Sequence, residues 1–426
     1  MKLIKAMRGT RDIYDVEALK FNFIEDTAKE LLENYGFGRM ITPTFESTDL
    51  FKRGIGEGTD IVDKEMYTFS DRGDRSITLR PEGTAPVVRS YLENKTYGKE
   101  DLTKYYYINN MFRYERPQAG RYREFYQVGV EILGNASPMA DAEVISMGYR
   151  LMEKLGIEDL KVNINSVGGN ETRAKYRDIL VNYLTPKKDG LCADCQTRYE
   201  ANPLRVLDCK NKGCQELTID APMLPDNLNA EEKTHYDTVK EYLDMFGVEY
   251  IENPRLVRGL DYYSSTVFEI ITEKLGSQGT VLGGGRYDNL IKQLGDKEVP
   301  AVGFGSGLDR LMMLLGEDKI INTPDVYVSW MGEENIDYAF LVANKLRDNG
   351  VKVYIEYAPK SANAHRKKAF KLGAKRELII DVDSKANKTL GLKELSSRDV
   401  EVVKFEELLE KVNNKNNEVK KDFINL

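Results

Sequence analysis

The stretch MFRYERPQAGRYREFYQVGVEILG, residues 111–134, decides how this chain is read. Two runs rich in Tyr, Phe, Val and Ile flank a loop rich in arginine and glycine, the pattern of two antiparallel strands and their connection. Alternate residues of a strand face one way. Arg113 and Glu115 therefore share a face on the first strand, and Phe125, Gln127, Gly129 and Glu131 share one on the second. A hairpin that gathers arginines on one sheet face suits a polyanion, because guanidinium groups grip phosphate oxygens as a bidentate fork. A surface hairpin with solvated charges is the plainer alternative.

Outward from this hairpin, whose first strand extends back as KYYYINNMFRYE, EMYTFS and SITLRP read as further strands, and the pattern resumes over 249–285 with STVFEIITEK and GTVLGGGRYD. Long runs of strands with few helices between them predict an antiparallel sheet in an α+β domain. Flanking helices are expected over 17–35, where Leu19, Phe23, Ile24, Ala28, Leu31 and Leu32 recur at helical spacing before Gly36. Another is expected over DAEVISMGYRLMEKLG, which ends at Gly156. Residues 168–230 change character and read as an inserted subdomain within a catalytic domain of 1–323. From 324 the order β-α-β-α-β predicts a small C-terminal α/β domain with a mainly parallel sheet, running to a polar tail that frays.

Composition narrows the function classes. With 426 residues the chain holds two to four domains. A hydrophobic share of 41% against 31% charged residues excludes extensive disorder. No window approaches the roughly 18 apolar residues of a membrane span, and MKLIKAMRGTRDIYD lacks the apolar core of a signal peptide. A cytoplasmic protein with no membrane partner is expected. The net charge of −7 argues against a coat for nucleic acid but allows a local basic patch. Only two histidines occur, His235 and His365, both outside the richest motifs, so chemistry needing a histidine base or a polyhistidine metal site is not expected.

Three more segments carry chemistry. VRGLDYYSSTVFEI places Arg258 beside glycine and just before Tyr262 and Tyr263, whose hydroxyls would shape a polar pocket if buried. VLGGGRYDNLI sets three glycines after a strand, either so that the backbone passes close to a ligand or another strand, or to form a sterically forced turn; it matches no phosphate-loop pattern. GFGSGLDRLMMLL leads small residues into an amphipathic helix with Arg310 in its first turns, where backbone N–H groups and the arginine can receive a nucleotide phosphate. Arg113, Arg258 and Arg310 with the acids Glu82 and Glu131 describe a site for a nucleotide and a small cationic or polar molecule.

These strings resemble a known family. RGLDYYSSTVFE and GGGRYDNLI look like the two histidine-specific signatures of histidyl-tRNA synthetases. FRYERPQAGRYREFYQ resembles motif 2 of class II aminoacyl-tRNA synthetases, GLDRLMML resembles motif 3, and the segment around ITPTFE resembles motif 1. The resemblance implies an antiparallel class II sheet flanked by helices, dimerised through motif 1. It also implies a two-step reaction: histidine and ATP, with Mg2+, give histidyl-adenylate and pyrophosphate, and the histidyl group then passes to its tRNA. By the same resemblance Arg113 holds the α-phosphate and the amino-acid carboxylate, Arg258 sits at the α-phosphate, and Arg310 at the γ-phosphate. Glu82, Gly83, Thr84, Gln127, Glu131, Tyr262 and Tyr263 match the histidine pocket. Glu115, Tyr122 and Phe125 belong to the ATP site, and Arg116, Gln118 and Arg121 to the loop that meets the tRNA acceptor end. The competing reading is a non-catalytic class II paralogue that regulates ATP phosphoribosyltransferase in histidine biosynthesis. Such paralogues generally lack the histidine signatures and the anticodon domain, both present here.

The C-terminal domain fits anticodon binding. KSANAHRKKAFKLGAKR (360–376) carries Lys360, Arg366, Lys367, Lys368, Lys371, Lys375 and Arg376 and no acid, with Arg366, Lys367 and Lys371 as the expected RNA contacts; a solvated helix face is the alternative. The stretch VDSKANKTLGLKEL departs from the family by lacking the usual glycine–acid pair after its strand. All four cysteines, Cys192, Cys195, Cys209 and Cys214, fall in one short span. Their two close pairs could supply four thiolates for a structural zinc, or remain reduced cysteines of a small insertion.

Overall fold

The computed structural model describes residues 3–56, 59–316, 323–397 and 399–412. It divides into two compact units, 1–320 and 321–426. The tail expected to fray lies, from residue 413, outside the described residues.

The first unit is built on an eight-stranded sheet. Its spatial order is Gly38–Arg39, Thr103–Phe112, Glu124–Leu133, Ala301–Gly307, Thr280–Arg286, Thr266–Thr272, Leu160–Ser166 and Tyr250–Glu252. All pairings are antiparallel except the two outermost, which are parallel. Strand alternation sorts the residues of the 124–133 strand. Val128, Val130 and Ile132 join the core beneath the sheet with Ile24, Phe268 and Leu243, while Gln127 and Glu131 face the opposite side and line a cavity.

Helices Asp15–Asn34, Pro138–Lys154 and Ala230–Met245 contribute to that core. Local chemistry sets their ends. Ser137 caps the second helix by accepting from the Met139 N–H at 3.2 Å, with proline at the first helical position. Asn229 and Glu232 form a reciprocal capping box on the third.

Two expectations about strands are corrected. EMYTFS and SITLRP do not extend the main sheet; Ser76–Leu79 pairs with Phe45–Ser47 on one side and Tyr67–Ser70 on the other in a separate three-stranded sheet. Tyr67–Ser70, with three of its four residues exposed, forms an edge of that sheet. The first strand of the opening hairpin also ends at Phe112, so Arg113 and Glu115 do not share a strand face. Instead the Arg113 N–H bonds to the Arg123 carbonyl at 2.9 Å and the Tyr114 N–H to the Glu65 carbonyl at 2.7 Å, drawing the chain off the sheet.

Residues 170–228 are helical, with helices Asn170–Leu184, Ala193–Ala201 and Lys212–Leu217 joined by short 3-10 turns. Their apolar side chains, among them Tyr176, Leu180 and Val206, share one core with Tyr107, Tyr262 and Tyr287 of the sheet unit. The insertion thus backs the wall of the cavity.

The second unit has a five-stranded sheet in the order Val353–Ile355, Val326–Trp330, Arg376–Ile380, Thr389–Glu394 and Val400–Lys404. The first three are parallel, as the β-α-β-α-β order predicts. The last two add antiparallel. Thr389–Glu394 lies in the stretch that departs from the family pattern, and its Leu390 and Leu392 are buried with Val403 of the next strand.

Candidate active site

A cavity of about 440 Å³ opens on the face of the main sheet opposite the helices Asp15–Asn34, Pro138–Lys154 and Ala230–Met245. Glu82 precedes the helix Thr84–Glu93, and its carboxylate accepts the Thr84 and Ala85 backbone N–H groups, each at 2.8 Å. Burial pushes its pKa up, against the pull of those N–H groups and of Arg113. Across the cavity Glu131 accepts the Thr84 hydroxyl at 2.7 Å, the Tyr107 hydroxyl at 3.3 Å and the Tyr287 hydroxyl. Burial pushes Glu131 up to about 8; the hydroxyl donors oppose this and the charge of Glu82 adds to it. An ionised carboxylate has about four lone-pair directions, so once Glu131 gives up the proton that burial favours, three bound hydroxyls leave it room for one further donor. Tyr262 and Tyr263 are both buried, with ring centroids 4.8 Å apart. The Tyr262 hydroxyl stands 3.5 Å from Glu82. Gln127, Gly83 and Thr84 line the same space.

The arginines enter from three elements. Arg113 donates through Nε to the Pro81 carbonyl at 2.8 Å and lies 5.4 Å over the Phe125 ring. Arg258 pairs with Glu269 of the 266–272 strand, while its buried Nε has no hydrogen-bond partner. Arg310, third residue of the helix Leu308–Leu314, donates to the Thr280 carbonyl at 2.6 Å. Burial, then the neighbouring Arg121, lowers its pKa, a repulsion that a bound anion would relieve. Glu115 holds Arg121 at 3.0 Å. Tyr122 lines the cavity with the Arg11 guanidinium 4.5 Å over its ring.

The glycine run is not a turn. Gly283, Gly284 and Gly285 lie inside the 280–286 strand. A Cβ on Gly283 would stand 2.4 Å from an Arg258 guanidinium nitrogen, so the missing side chain is the space in which Arg258 lies. Arg286, next in the string, turns away from the cavity. It is buried and pairs with Asp141, which also accepts from Thr266 at 2.7 Å and contacts His235 at 2.7 Å.

The structure therefore brings into one cavity Glu82, Gly83, Thr84, Arg113, Glu115, Arg121, Tyr122, Phe125, Gln127, Glu131, Arg258, Tyr262, Tyr263 and Arg310. It does not bring Arg116 or Gln118, which sit exposed; Gln118 and Arg121 close a tight turn whose Gly120 and Arg121 reach the cavity. Sequence reasoning missed Tyr107, Tyr287 and Glu269. Tyr287 was legible in GGGRYD as a motif residue, but nothing in the string says that its hydroxyl reaches Glu131. Tyr107 is one of three consecutive tyrosines, and only the register opposite Gly129 selects it.

Beside this site the four cysteine sulfurs lie within 4.8 Å of one another. Cys195, Cys209 and Cys214 are buried and all four are free thiols. The Cys192 N–H points at the Cys214 sulfur at 3.2 Å and the Asn211 N–H at the Cys209 sulfur at 3.4 Å. In the second unit, Arg366, Lys367 and Lys371 are exposed on the helix Ala362–Lys371. Arg376 does not belong to that surface: it is buried, paired with Glu394 at 2.7 Å and donating to the Val412 carbonyl at 3.1 Å. Its place in a buried strand, where an ion pair must satisfy the charge, removes it from the basic face. Lys360 and Lys375 are held by Glu356 and Asp325, each at 2.8 Å.

An antiparallel sheet flanked by helices, with arginines converging on an acid- and tyrosine-lined cavity, is the arrangement that the resemblance to class II aminoacyl-tRNA synthetases implies. Comparison with known proteins agrees. The family described as histidyl-tRNA synthetase matches residues 9–311, and the anticodon binding domain matches 325–415. A histidine–tRNA ligase of Caldanaerobacter subterraneus subsp. tengcongensis is 46% identical over 416 residues, 97% of this chain and 100% of the relative. That of Clostridioides difficile is 43% identical over 418 residues, again 97% and 100%. The crystal structure of apo histidyl-tRNA synthetase from S. aureus superposes with a TM-score of 0.80 at 37% identity, covering 96% of this chain and 100% of that one. The chain belongs to the histidyl-tRNA synthetase family.

Proposed function

We propose that this chain ligates L-histidine to its cognate tRNA through histidyl-adenylate. The observation that carries the reading is the convergence in one cavity of two buried carboxylates, Glu82 and Glu131, with Arg113, Arg258 and Arg310. Glu82 has lone pairs left to accept the substrate ammonium, and Glu131 one site for an imidazole N–H. A pocket that hydrogen-bonds the ring rejects analogues without it, since its own groups would be left unpaired. Gln127, Tyr262 and Tyr263 complete the histidine pocket.

ATP enters as its magnesium complex. The Glu65 and Glu115 carboxylates fit that ion: burial first, then the charge of Glu115, pushes Glu65 up, a strain that a cation relieves. Tyr122 and Phe125 flank the base. A histidine carboxylate oxygen attacks the α-phosphorus, the bond to the bridging oxygen breaks, and pyrophosphate leaves with the electron pair. Arg113 and Arg258 meet the charge gathering on the α-phosphoryl oxygens, and Arg310 the far end of the triphosphate. Groups fixed beforehand stabilise such charge without reorganising. The tRNA 3′-terminal hydroxyl then attacks the adenylate carbonyl and AMP departs. No covalent enzyme intermediate is required. Arg116, Gln118 and Arg121 serve the acceptor end, and Arg366, Lys367 and Lys371 the anticodon.

A cytoplasmic homodimer belongs to the same reading. It is supported by Ile41, Phe45 and Phe69, exposed apolar residues in and beside the motif 1 segment, and no helix among the described residues is long and apolar enough to cross a membrane. The four cysteines are read as a structural zinc site; four thiolates leave no open position, so no catalytic step passes through it. The regulatory-paralogue reading is disfavoured by full-length relatives named as ligases. A structure from Bacillus halodurans titled as an ATP phosphoribosyltransferase regulatory subunit/histidyl-tRNA synthetase shares the fold at 23% identity and TM-score 0.64, covering 89% of this chain and 98% of that one. The test is pyrophosphate exchange into ATP with each of the twenty amino acids and no tRNA. Exchange with histidine alone is expected; none with any amino acid from folded protein would refute the ligase.

A further inference from the structure

The cysteine cluster is built for a metal, and its position says what the metal does. For a metal–sulfur bond of about 2.3 Å, a tetrahedron has sulfur–sulfur edges of about 3.8 Å. The Cys192 and Cys209 sulfurs stand 3.9 Å apart. The backbone N–H groups of Cys192 and Asn211 aim at two of the four sulfurs, as outer-shell donors do in thiolate sites. The ligands come from two separate turns. One opens the helix Ala193–Ala201. The other runs through Cys209, Lys210 and Asn211, and the Asn211 side chain caps the helix that carries Cys214, accepting the Gly213 N–H at 2.9 Å.

Lys210 thus sits between a cluster ligand and a helix cap. It lines the catalytic cavity together with Arg258 and Arg310. It also lines a second, adjoining cavity of about 880 Å³ that runs from Arg310 and Arg121 to Cys192 and Cys209. Arg198 and Arg205 on that wall already engage Asp60, at 3.9 and 3.5 Å. Lys210 is exposed and makes no salt bridge among the described residues. An ammonium without a salt bridge, beside Asp208, on a turn tied down from both sides and lining the same cavities as the arginine assigned to the end of the triphosphate, is placed for a phosphate contact.

We infer that zinc bound by Cys192, Cys195, Cys209 and Cys214 fixes the 209–211 turn so that Lys210 binds the β,γ-diphosphate of ATP and the pyrophosphate that leaves it. The inference rests on the ligase reading for its substrate and adds the metal as the device that positions a phosphate-side cation. Without the metal, among the described residues the two turns are joined only by the Cys192 N–H to Cys214 sulfur contact and by apolar packing, and Lys210 loses its fixed place while the histidine pocket keeps its own.

The experiment uses the full-length protein, purified under reducing conditions from cells supplied with zinc. Metal content is measured, then KM for ATP, pyrophosphate and histidine in the exchange reaction, and the thermal shift produced by pyrophosphate alone. One zinc per chain is expected. Lys210→Ala should retain the zinc and raise KM for ATP and pyrophosphate about tenfold, the worth of one charge-assisted hydrogen bond, with KM for histidine unchanged. Wild-type protein stripped by a chelator, and Cys209→Ser, should lose zinc and show the same split. Absence of zinc from folded wild-type protein would overturn the metal. Zinc present with Lys210→Ala binding pyrophosphate as wild type would overturn the role of the turn. A Lys210→Ala defect confined to transfer onto tRNA would assign the ammonium to RNA and also overturn it. Should Cys209→Ser not fold, the stripped wild type and Lys210→Ala still decide. Failure of histidine-dependent exchange in the wild type would refute the ligase, whereas zinc content and the pyrophosphate thermal shift remain readable on their own.

Discussion

Replacing Gly283 by alanine tests whether Arg258 works by being held in place. The added Cβ would lie 2.4–2.6 Å from the Arg258 guanidinium atoms, where ordinary contact begins near 3.5 Å. The guanidinium must therefore retreat by about 1 Å. It is the far end of a long side chain, so the backbone need not yield, and the fold should lose less than about 1 kcal/mol. A displacement of about 1 Å in a group that meets the reacting phosphoryl costs on the order of 10²-fold in rate. The assay is histidine-dependent pyrophosphate exchange alongside thermal unfolding. Expected is a fall of about 10²-fold in kcat, with KM for histidine within about threefold and Tm within a few degrees. Gly284→Ala is the contrast. Its Cβ would meet the Gly303 carbonyl oxygen at 2.2 Å and Phe304 Cα at 2.8 Å, backbone atoms of the next strand. That variant should be destabilised by several kcal/mol, or fail to fold. Wild-type exchange by a folded Gly283→Ala protein would refute the account of Arg258.

Arg310→Ala should raise KM for ATP by about 10- to 100-fold in the exchange assay, with KM for histidine little changed, since a charge-assisted bond to the triphosphate carries about 1.5–3 kcal/mol. Glu131 is raised to about 8 by burial, so between its unfolded pKa near 4.5 and about 8 the native protein holds a proton that the unfolded chain has released. Its contribution to stability is present below pH 4.5 and is lost as pH rises toward 8. Denaturant titrations at pH 5, 6, 7 and 8 should therefore show the wild type losing stability relative to Glu131→Gln; parallel curves would contradict this. Arg366→Ala, Lys367→Ala and Lys371→Ala combined should leave amino-acid activation unchanged and weaken tRNA charging. The slope of log affinity against log salt should fall by roughly 0.7–0.9 for each phosphate no longer neutralised.

Much of this protein was legible in the sequence. The 111–134 hairpin gave an antiparallel sheet because two aromatic and β-branched runs flank a loop of turn-forming and charged residues. The change of rhythm after residue 324 gave the second unit, because strands separated by amphipathic helices imply parallel pairing. Arg113, Arg258, Arg310, Glu82 and Glu131 stood out because charged residues beside glycines and apolar strand residues need a reason to be there. Local pattern could not tell that EMYTFS and SITL form a separate sheet, because a strand's partner is chosen by residues distant in sequence. Nor could it remove Arg376 from the basic face, since its burial depends on Glu394 and Val412 arriving from later elements.

The sequence by itself determined the classes of element, the family strings and the chemical types available to the site. Tertiary structure alone decided which of them meet. Strand register sets Tyr107 opposite Gly129 and Glu131 opposite Gly303, and Thr84 from a helix start and Tyr287 from beyond a strand bring two more hydroxyls to the same buried carboxylate. The packing of the 170–228 helices against the cavity wall brings Lys210 into the cavities that Arg310 lines. Both depend on residues far apart in the chain: alternation along a strand records which face a residue takes, while the residue it meets across the sheet is fixed only when the whole sheet closes.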